Sequence, residues 1–271
     1  MRIVIQETYD ALSKWVADYV VEKINSFEPS ATKPFILGLP TGSSPMGMYK
    51  ELIRHNEEGR VSFRHVITFN MDEYINLPEK HPESYHNFMW NNFFSKIGIP
   101  KANVNIPNGN AANIEAECER YEQKIKALGG IDLFLGGIGS DGHIAFNEPG
   151  SSLQSRTRVK TLSYDTIQAN SRFFENDITK VPKTAITVGI ATIMDAREVL
   201  LIINGFQKAR ALKQVVQEGI SHMWPASVLQ MHPHAILACD DSATMELNVA
   251  TVRYFKDIEN IAHNKYPENR E

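Results

Sequence analysis

One stretch of the chain concentrates groups able to move protons. Gly139-Ser140-Asp141-Gly142-His143-Ile144-Ala145-Phe146-Asn147-Glu148-Pro149 sets a histidine between two carboxylates in a glycine-rich run. Asp141 or Glu148 can accept the N–H of one imidazole nitrogen, which fixes the tautomer and leaves the other nitrogen for a substrate. No Gly-x-Ser-x-Gly elbow occurs here, which weakens a hydrolase-triad reading. A metal reading is thin as well. Asp141-x-His143 is a sparse donor set, and His232 and His234 flank Pro233 without an obvious third ligand.

Three other segments carry chemistry-bearing residues. Asn70-Met71-Asp72-Glu73-Tyr74 places two adjacent acids after an apolar run. They read either as a helix cap with a first-turn acid or as a carboxylate base held over a pocket. Thr41-Gly42-Ser43-Ser44-Pro45 is a small turn before a helix, where free N–H groups and hydroxyls suit an anion. It is not a nucleotide-binding P-loop, since no Gly-Lys-Ser/Thr follows, and a ligand-free capped turn is the alternative. Asn204-Gly205-Phe206-Gln207-Lys208 puts Lys208 in the first turn of a helix, where a cation opposes the helix dipole unless an anion is bound. Arg172, beside Asn170 and Ser171, offers a second cation.

These segments need a scaffold, and the apolar patterning suggests one. Met1–Ile5, Phe35–Leu39, Val66–Met71, Ile131–Leu135, Ala185–Val188, Val199–Ile203 and His234–Cys239 read as strands. Helices are expected over Tyr9–Phe27, with Leu12, Val16, Val20 and Ile24 on one stripe, over Met48–Asn56, near Ser84–Phe94, and over Ile114–Ala127. Two more are expected over Lys208–Gln217 and Val249–Ile261. Uninterrupted apolar strands alternating with helices predict an α/β fold with a largely parallel sheet and helices on both faces. Pro149–Thr161 reads as the most loop-like interior stretch. No repeat or linker divides the chain, so 1–271 is expected to be a single domain, with 264–271 a disordered tail. In such sheets ligands bind at the carboxyl ends of strands, where all four polar segments fall.

Composition narrows the partners. The 271 residues carry 28 Lys and Arg against 32 Asp and Glu, a net charge of −4. This provides no general basic field for nucleic acid or an anionic membrane, so any anion site must be local. No apolar run approaches the length of a membrane span. The polar residues that follow Ile5 argue against a secretory signal. Two cysteines, Cys118 and Cys239, form no CxxC pair and read as reduced thiols of a cytoplasmic protein.

Taken together, several strings resemble the glucosamine-6-phosphate deaminase family. They are Leu39-Pro40-Thr41-Gly42-Ser43-Ser44-Pro45, Phe69-Asn70-Met71-Asp72-Glu73-Tyr74, His81-Pro82-Glu83-Ser84-Tyr85 and Gly142-His143-Ile144-Ala145-Phe146-Asn147-Glu148-Pro149. Ser155-Arg156-Thr157-Arg158-Val159-Lys160-Thr161 and Asn170-Ser171-Arg172-Phe173-Phe174 extend the match, which runs from Met1 to about Ile261.

The resemblance implies a Rossmann-like fold with an active-site lid, expected within about 145–185. It implies conversion of glucosamine 6-phosphate and water to fructose 6-phosphate and ammonium, with no cofactor or metal. His143 then matches the ring-opening acid/base, and Asp141 and Glu148 match the carboxylates that tune it. Asp72 matches the carboxylate that carries a proton from C2 to C1. Thr41, Gly42, Ser43, Ser44, Arg172 and Lys208 match the substrate and phosphate ligands. Many bacterial members are hexamers activated by N-acetylglucosamine 6-phosphate. Ser152, Arg158, Lys160, Thr161 and Tyr254 match that allosteric site, for which a solvated basic strand is the alternative.

Two rivals share parts of this pattern. A 6-phosphogluconolactonase-like hydrolase would use the phosphate turn and part of the histidine loop, but it needs no base at C2. A non-catalytic sugar-phosphate sensor would be expected to carry a DNA-binding segment and to need neither Asp72 nor His143.

Overall fold

Strands that are apolar at every position must be covered on both faces, because each buried aliphatic side chain contributes about 1.5–3 kcal/mol. The computed structural model describes residues 1–262 and shows that cover; the expected tail at 264–271 lies outside the described residues. The chain runs β1 (Arg2–Gln6), α1 (Tyr9–Phe27), β2 (Phe35–Leu39), α2 (Met46–Glu57), β3 (Val66–Asn70), β4 (Asp72–Tyr74), α3 (Tyr85–Asn92), β5 (Val104–Asn105), α4 (Ile114–Ala127) and β6 (Leu133–Gly137). It continues through β7 (Arg158–Thr161), α5 (Tyr164–Asn170), β8 (Thr184–Thr187), α6 (Ile190–Met194), β9 (Val199–Ile203), α7 (Ala209–Gln217), β10 (Ala235–Asp240) and α8 (Val249–Ala262).

Seven strands form a parallel sheet in the order β1-β10-β9-β6-β2-β3-β5. Strand alternation splits its side chains between two cores. Leu37 and Leu39 of β2 join Leu133, Leu135, Leu200 and Ile202 under Leu12, Val16 and Val20 of α1, with Tyr49 of α2 and Met89 of α3. Ile36, Phe134, Leu201 and Leu237 face the other way, onto Tyr121 and Ile125 of α4, Ile190 of α6 and Leu212 of α7. The α1 boundaries match the expected helix because Thr8 caps it, its side chain accepting from the Ala11 N–H.

The sheet order fixes where a ligand can sit. From β2 the chain builds outward through β3 and β5. From β6 it builds the opposite way through β9 and β10. The crevice between the carboxyl ends of β2 and β6 is therefore the topological switch point. The loops that leave those two strands are Pro40–Pro45 and the histidine loop.

A second sheet departs from the expected architecture. β4, β8 and β7 form an antiparallel three-strand sheet, with Asp72 opposite Thr187 and Arg158 also opposite Thr187 on the other side. The Ala185–Val188 run is thus not a strand of the parallel sheet, and the end of the loop-like stretch Pro149–Thr161 is β7. Asp72 and Glu73 lie in a strand, which removes the reading that both belong to a helix start. The start of β6 is also two residues later than expected. There the Asp132 side chain accepts the Ile36 N–H at 2.8 Å and replaces a rung of the ladder. Among the described residues no helix is long and apolar enough to cross a membrane.

Candidate active site

The crevice opens into a cavity of about 750 Å³. Its wall contains Thr41, Gly42, Ser43 and Ser44 from the β2 loop, Asp72 from β4, and Asp141, His143 and Glu148 from the histidine loop. Arg172 and Lys208 complete it. All ten residues expected in catalysis or substrate binding therefore meet in one place.

Asp72 is 5 % exposed, and its Oδ1 is buried without a hydrogen-bond partner. Burial, reinforced by the neighbouring Glu73 charge, holds its carboxyl well above the ordinary range. Strand alternation turns Glu73 to the opposite side. Its Oε1 accepts the N–H groups of Tyr74 at 2.8 Å and Tyr85 at 3.0 Å, and its Oε2 accepts that of His86 at 2.8 Å. Glu73 thus satisfies the first free N–H groups of α3, beside the Ser84 cap. Burial pushes the Glu73 carboxyl up, and those three donors offset only part of the rise. Two consecutive acids have separate jobs: one faces the cavity bare, the other holds a helix. Glu73→Ala is accordingly expected to lower the unfolding free energy by about 2–3 kcal/mol, read from urea denaturation, because it leaves buried donors unpaired.

The histidine loop is shaped by close approach. A Cβ on Gly139 would fall 2.3 Å from His143 Nδ1 and 2.4 Å from Asp141 Oδ1. Gly142 has φ +78°, and a Cβ there would strike Trp224 at 2.7 Å. With that space left open, His143 Nδ1 lies 2.7 Å from Asp141 Oδ1. Burial would raise the Asp141 carboxyl, but the hydrogen bond and charge of His143 outweigh it and bring it below the ordinary value. The histidine's partner is therefore Asp141. Glu148 is held elsewhere: it accepts from the Ser163 N–H at 2.9 and 3.2 Å and the Thr166 hydroxyl at 2.5 Å, with Lys160 Nζ 3.7 Å away.

Two cations, Arg172 and Lys208, also line the cavity. Lys208 closes a 3-10 turn, Phe206–Lys208, just before α7, rather than sitting inside the helix as expected. Burial pushes its ammonium pKa down and the Arg172 charge adds to that, with Asp141 opposing. The Arg172 charge near a buried ammonium, in the same cavity as the Gly42–Ser44 turn, forms a place where a bound anion is favoured. Among the described residues no group of three or more His, Cys, Asp or Glu side chains is arranged to hold a metal.

Among the wall residues without an individual role in the sequence reading are Tyr74, Tyr85 and Asn170. Tyr74 could have been found, since it lies two positions after Asp72 on the same strand face. Tyr85 and Asn170 carry no local signal. The five residues expected at a second site lie outside this wall. Arg158, Lys160 and Thr161 are on β7, and Ser152 is in the loop before it. Tyr254 is exposed on α8, which packs along the edge strand β1.

Residues 7–237 match the family described as glucosamine-6-phosphate isomerases/6-phosphogluconolactonase. A glucosamine-6-phosphate deaminase of Borreliella burgdorferi strain ZS7 is 65% identical over 259 residues, 96% of this chain and 97% of that protein. One from Phocaeicola vulgatus is 64% identical, covering 96% of this chain and 98% of its own. A solved structure described as a monomeric glucosamine-6-phosphate deaminase superposes with TM-score 0.86 at 42% identity, covering 90% of this chain and 98% of that one. A 6-phosphogluconolactonase from Trypanosoma cruzi, at 23% identity and TM-score 0.71, shares the fold over 91% of this chain and 97% of its own. With the family model spanning most of its length and relatives near two-thirds identity, the chain belongs to the glucosamine-6-phosphate isomerase/6-phosphogluconolactonase family.

Proposed function

We propose that this cavity converts glucosamine 6-phosphate and water to fructose 6-phosphate and ammonium. The observation that carries the reading is Asp72, a buried carboxylate of raised proton affinity in the same cavity as an imidazole oriented by Asp141. Lactone hydrolysis needs no such base, and a sensor needs neither group. The names of the relatives at 64–65% identity point the same way.

The residues divide the work. The Gly42–Ser44 turn, with Thr41, Arg172 and Lys208, takes the phosphate and anchors the sugar away from the reacting carbons. His143, with Nδ1 committed to Asp141, uses Nε2 to move the proton that opens the ring. Asp72 removes the proton from C2 of the open aldehyde, giving an enolamine, and returns it to C1. The result is an imine at C2. Water adds there and ammonium leaves, so the substrate's nitrogen departs with the proton balance closed and no redox change. A carboxylate suits the C2 step when its proton affinity is raised toward neutrality, as burial does here. The segment 145–185, which holds Glu148, α5 and Arg172, serves as the lid of one domain spanning the chain, and the protein works in the cytoplasm. Its two free cysteines, both buried, fit that setting.

The test is to mix the purified protein with glucosamine 6-phosphate, without metal or nucleotide, and follow ammonium and fructose 6-phosphate together. Equal release is expected. No release of either, with the activator below also present, would overturn the reading.

The same proposal includes activation by N-acetylglucosamine 6-phosphate at Ser152, Arg158, Lys160, Thr161 and Tyr254. Arg158 is half-buried, which pushes its pKa down, and its hydrogen-bond partners are neutral: Asn147 Oδ1 at 2.8 Å and the Arg156 carbonyl at 3.3 Å. A cation so placed favours an anion. Lys160 beside Glu148 links that strand to the cavity. Tyr254, along the β1 edge, would reach the strand from a neighbouring copy, which favours a homo-oligomer such as the hexamer. Lys160→Ala or Tyr254→Phe is expected to raise the activator concentration for half-effect about tenfold, the loss of one charge-assisted or hydroxyl hydrogen bond. An unchanged activator response would sink the assignment, and the mass in solution tests the oligomer.

A further inference from the structure

We propose that the Tyr74 hydroxyl and the Asn170 side-chain amide form a latch that positions Arg172 at the phosphate end of the cavity; this rests on the phosphate-binding reading of Arg172. Tyr74 and Asn170 are 96 residues apart, and Asn170 Nδ2 donates to the Tyr74 hydroxyl oxygen at 2.9 Å. The Tyr85 hydroxyl lies 3.5 Å from the same oxygen.

The tyrosine is the fixed half. It sits in β4, 2 % exposed, with its ring 4.9 Å from that of Tyr85 and 5.9 Å from those of Phe146 and Phe174. The same strand face carries Asp72. The Asp72 charge reaches both phenols and adds to the burial that holds them above their ordinary range.

The asparagine is the held half. It ends α5, a helix of 7 residues, which is too short to persist without outside contacts. The start of that helix is pinned by Glu148, through Ser163 and Thr166. Its end is pinned by Tyr74, through Asn170. The turn Ser171–Phe173 follows directly and carries Arg172, whose guanidinium lies 4.6 Å over the Phe173 ring. Releasing the second pin leaves the turn that carries Arg172 between the Glu148 anchor and the buried Phe174 ring, without the hydrogen bond that fixes it. A hydroxyl two positions after the proton-carrying carboxylate therefore sets the reach of a cation that binds the opposite end of the substrate.

The test uses the full-length protein with Tyr74→Phe, Asn170→Ala and the double variant. Inorganic phosphate binding is measured calorimetrically, and backbone amide exchange is followed across 164–173. Each single variant is expected to weaken phosphate binding about fivefold to tenfold and to speed exchange in that segment, with exchange in the main sheet unchanged. The double variant is expected to be no worse than either single one, since both break the same bond. Additive effects, or weaker binding with exchange across 164–173 unchanged, would overturn the latch. Arg172→Met tests the premise separately. Unchanged phosphate binding in that variant removes the phosphate role, and the exchange data alone then decide whether Tyr74 and Asn170 hold the segment.

Discussion

Asp72→Asn is expected to lower turnover of glucosamine 6-phosphate by about 10³-fold or more, while substrate binding changes less than about threefold. The amide keeps the size and polarity of the side chain but cannot take the C2 proton. The residues proposed to hold the phosphate do not include Asp72, so affinity should survive. A parallel loss of binding and turnover would mean that Asp72 holds the wall together instead.

The same substitution carries a stability signature of opposite sign. The folded carboxyl has its pKa raised, with burial the largest cause. A raised carboxyl favours the folded state while protonated, below its unfolded pKa, and that contribution is lost as pH rises through the folded value. Above that window the ionised wild type bears the cost of a buried charge, and the Asn variant does not. Asp72→Asn is therefore expected to melt higher than wild type at pH 8, with the difference closing toward pH 4. Glu73→Ala, one residue on, should behave in the reverse way at neutral pH, destabilised by its unpaired helix donors. Thermal melts of the two variants across pH distinguish an acid kept for chemistry from an acid kept for structure.

What could be read in advance was whatever is local. The Tyr9–Phe27 helix was legible because Leu12, Val16, Val20 and Ile24 recur within a few residues of each other, and the Ile114–Ala127 helix was likewise a local reading. Phe35–Leu39 and Val199–Ile203 were legible as unbroken apolar runs. The antiparallel sheet was not. β4 is Asp-Glu-Tyr, with two residues rarely found in strands, and it gains its ladder from Thr184–Thr187, more than a hundred positions away. β7, Arg-Val-Lys-Thr, read as the end of a loop-like stretch or as a solvated basic strand, and nothing local showed that it pairs with β8.

The site divides along that line as well. His143 and Asp141 are two residues apart, so their pairing was available from the sequence. Glu148 is only five residues from His143, yet Ser163 and Thr166 hold it instead, and no local pattern announces that. Glu73 caps a helix that begins 12 residues later, and Tyr74 meets Asn170 across 96. Contacts of that kind join residues far apart in the chain, so no local pattern carries them.

The pairing at His143 supports the last expected result. With Asp141 as the acceptor, Nδ1 keeps its hydrogen and Nε2 is left with the lone pair. The negative charge also stabilises the imidazolium that forms when the ring-opening proton is taken. Asp141→Asn removes that charge, and its amide N–H can instead donate to Nδ1, which forces the hydrogen onto Nε2. The imidazole then sits in the same place in the wrong tautomer. Turnover is expected to fall by about 10²- to 10⁴-fold with substrate affinity nearly kept. Glu148→Gln should cost less, since Glu148 acts through Ser163 and Thr166 rather than on the ring. Lys208 adds a secondary effect, because Asp141 helps keep its buried ammonium charged. Inorganic phosphate inhibition should therefore weaken in Asp141→Asn as pH rises, earlier than in wild type. Steady-state kinetics of both variants, with phosphate inhibition followed across pH, test the arrangement. Equal losses in Asp141→Asn and Glu148→Gln would mean that the two carboxylates share the histidine in the working enzyme, and that Glu148 must move to reach it.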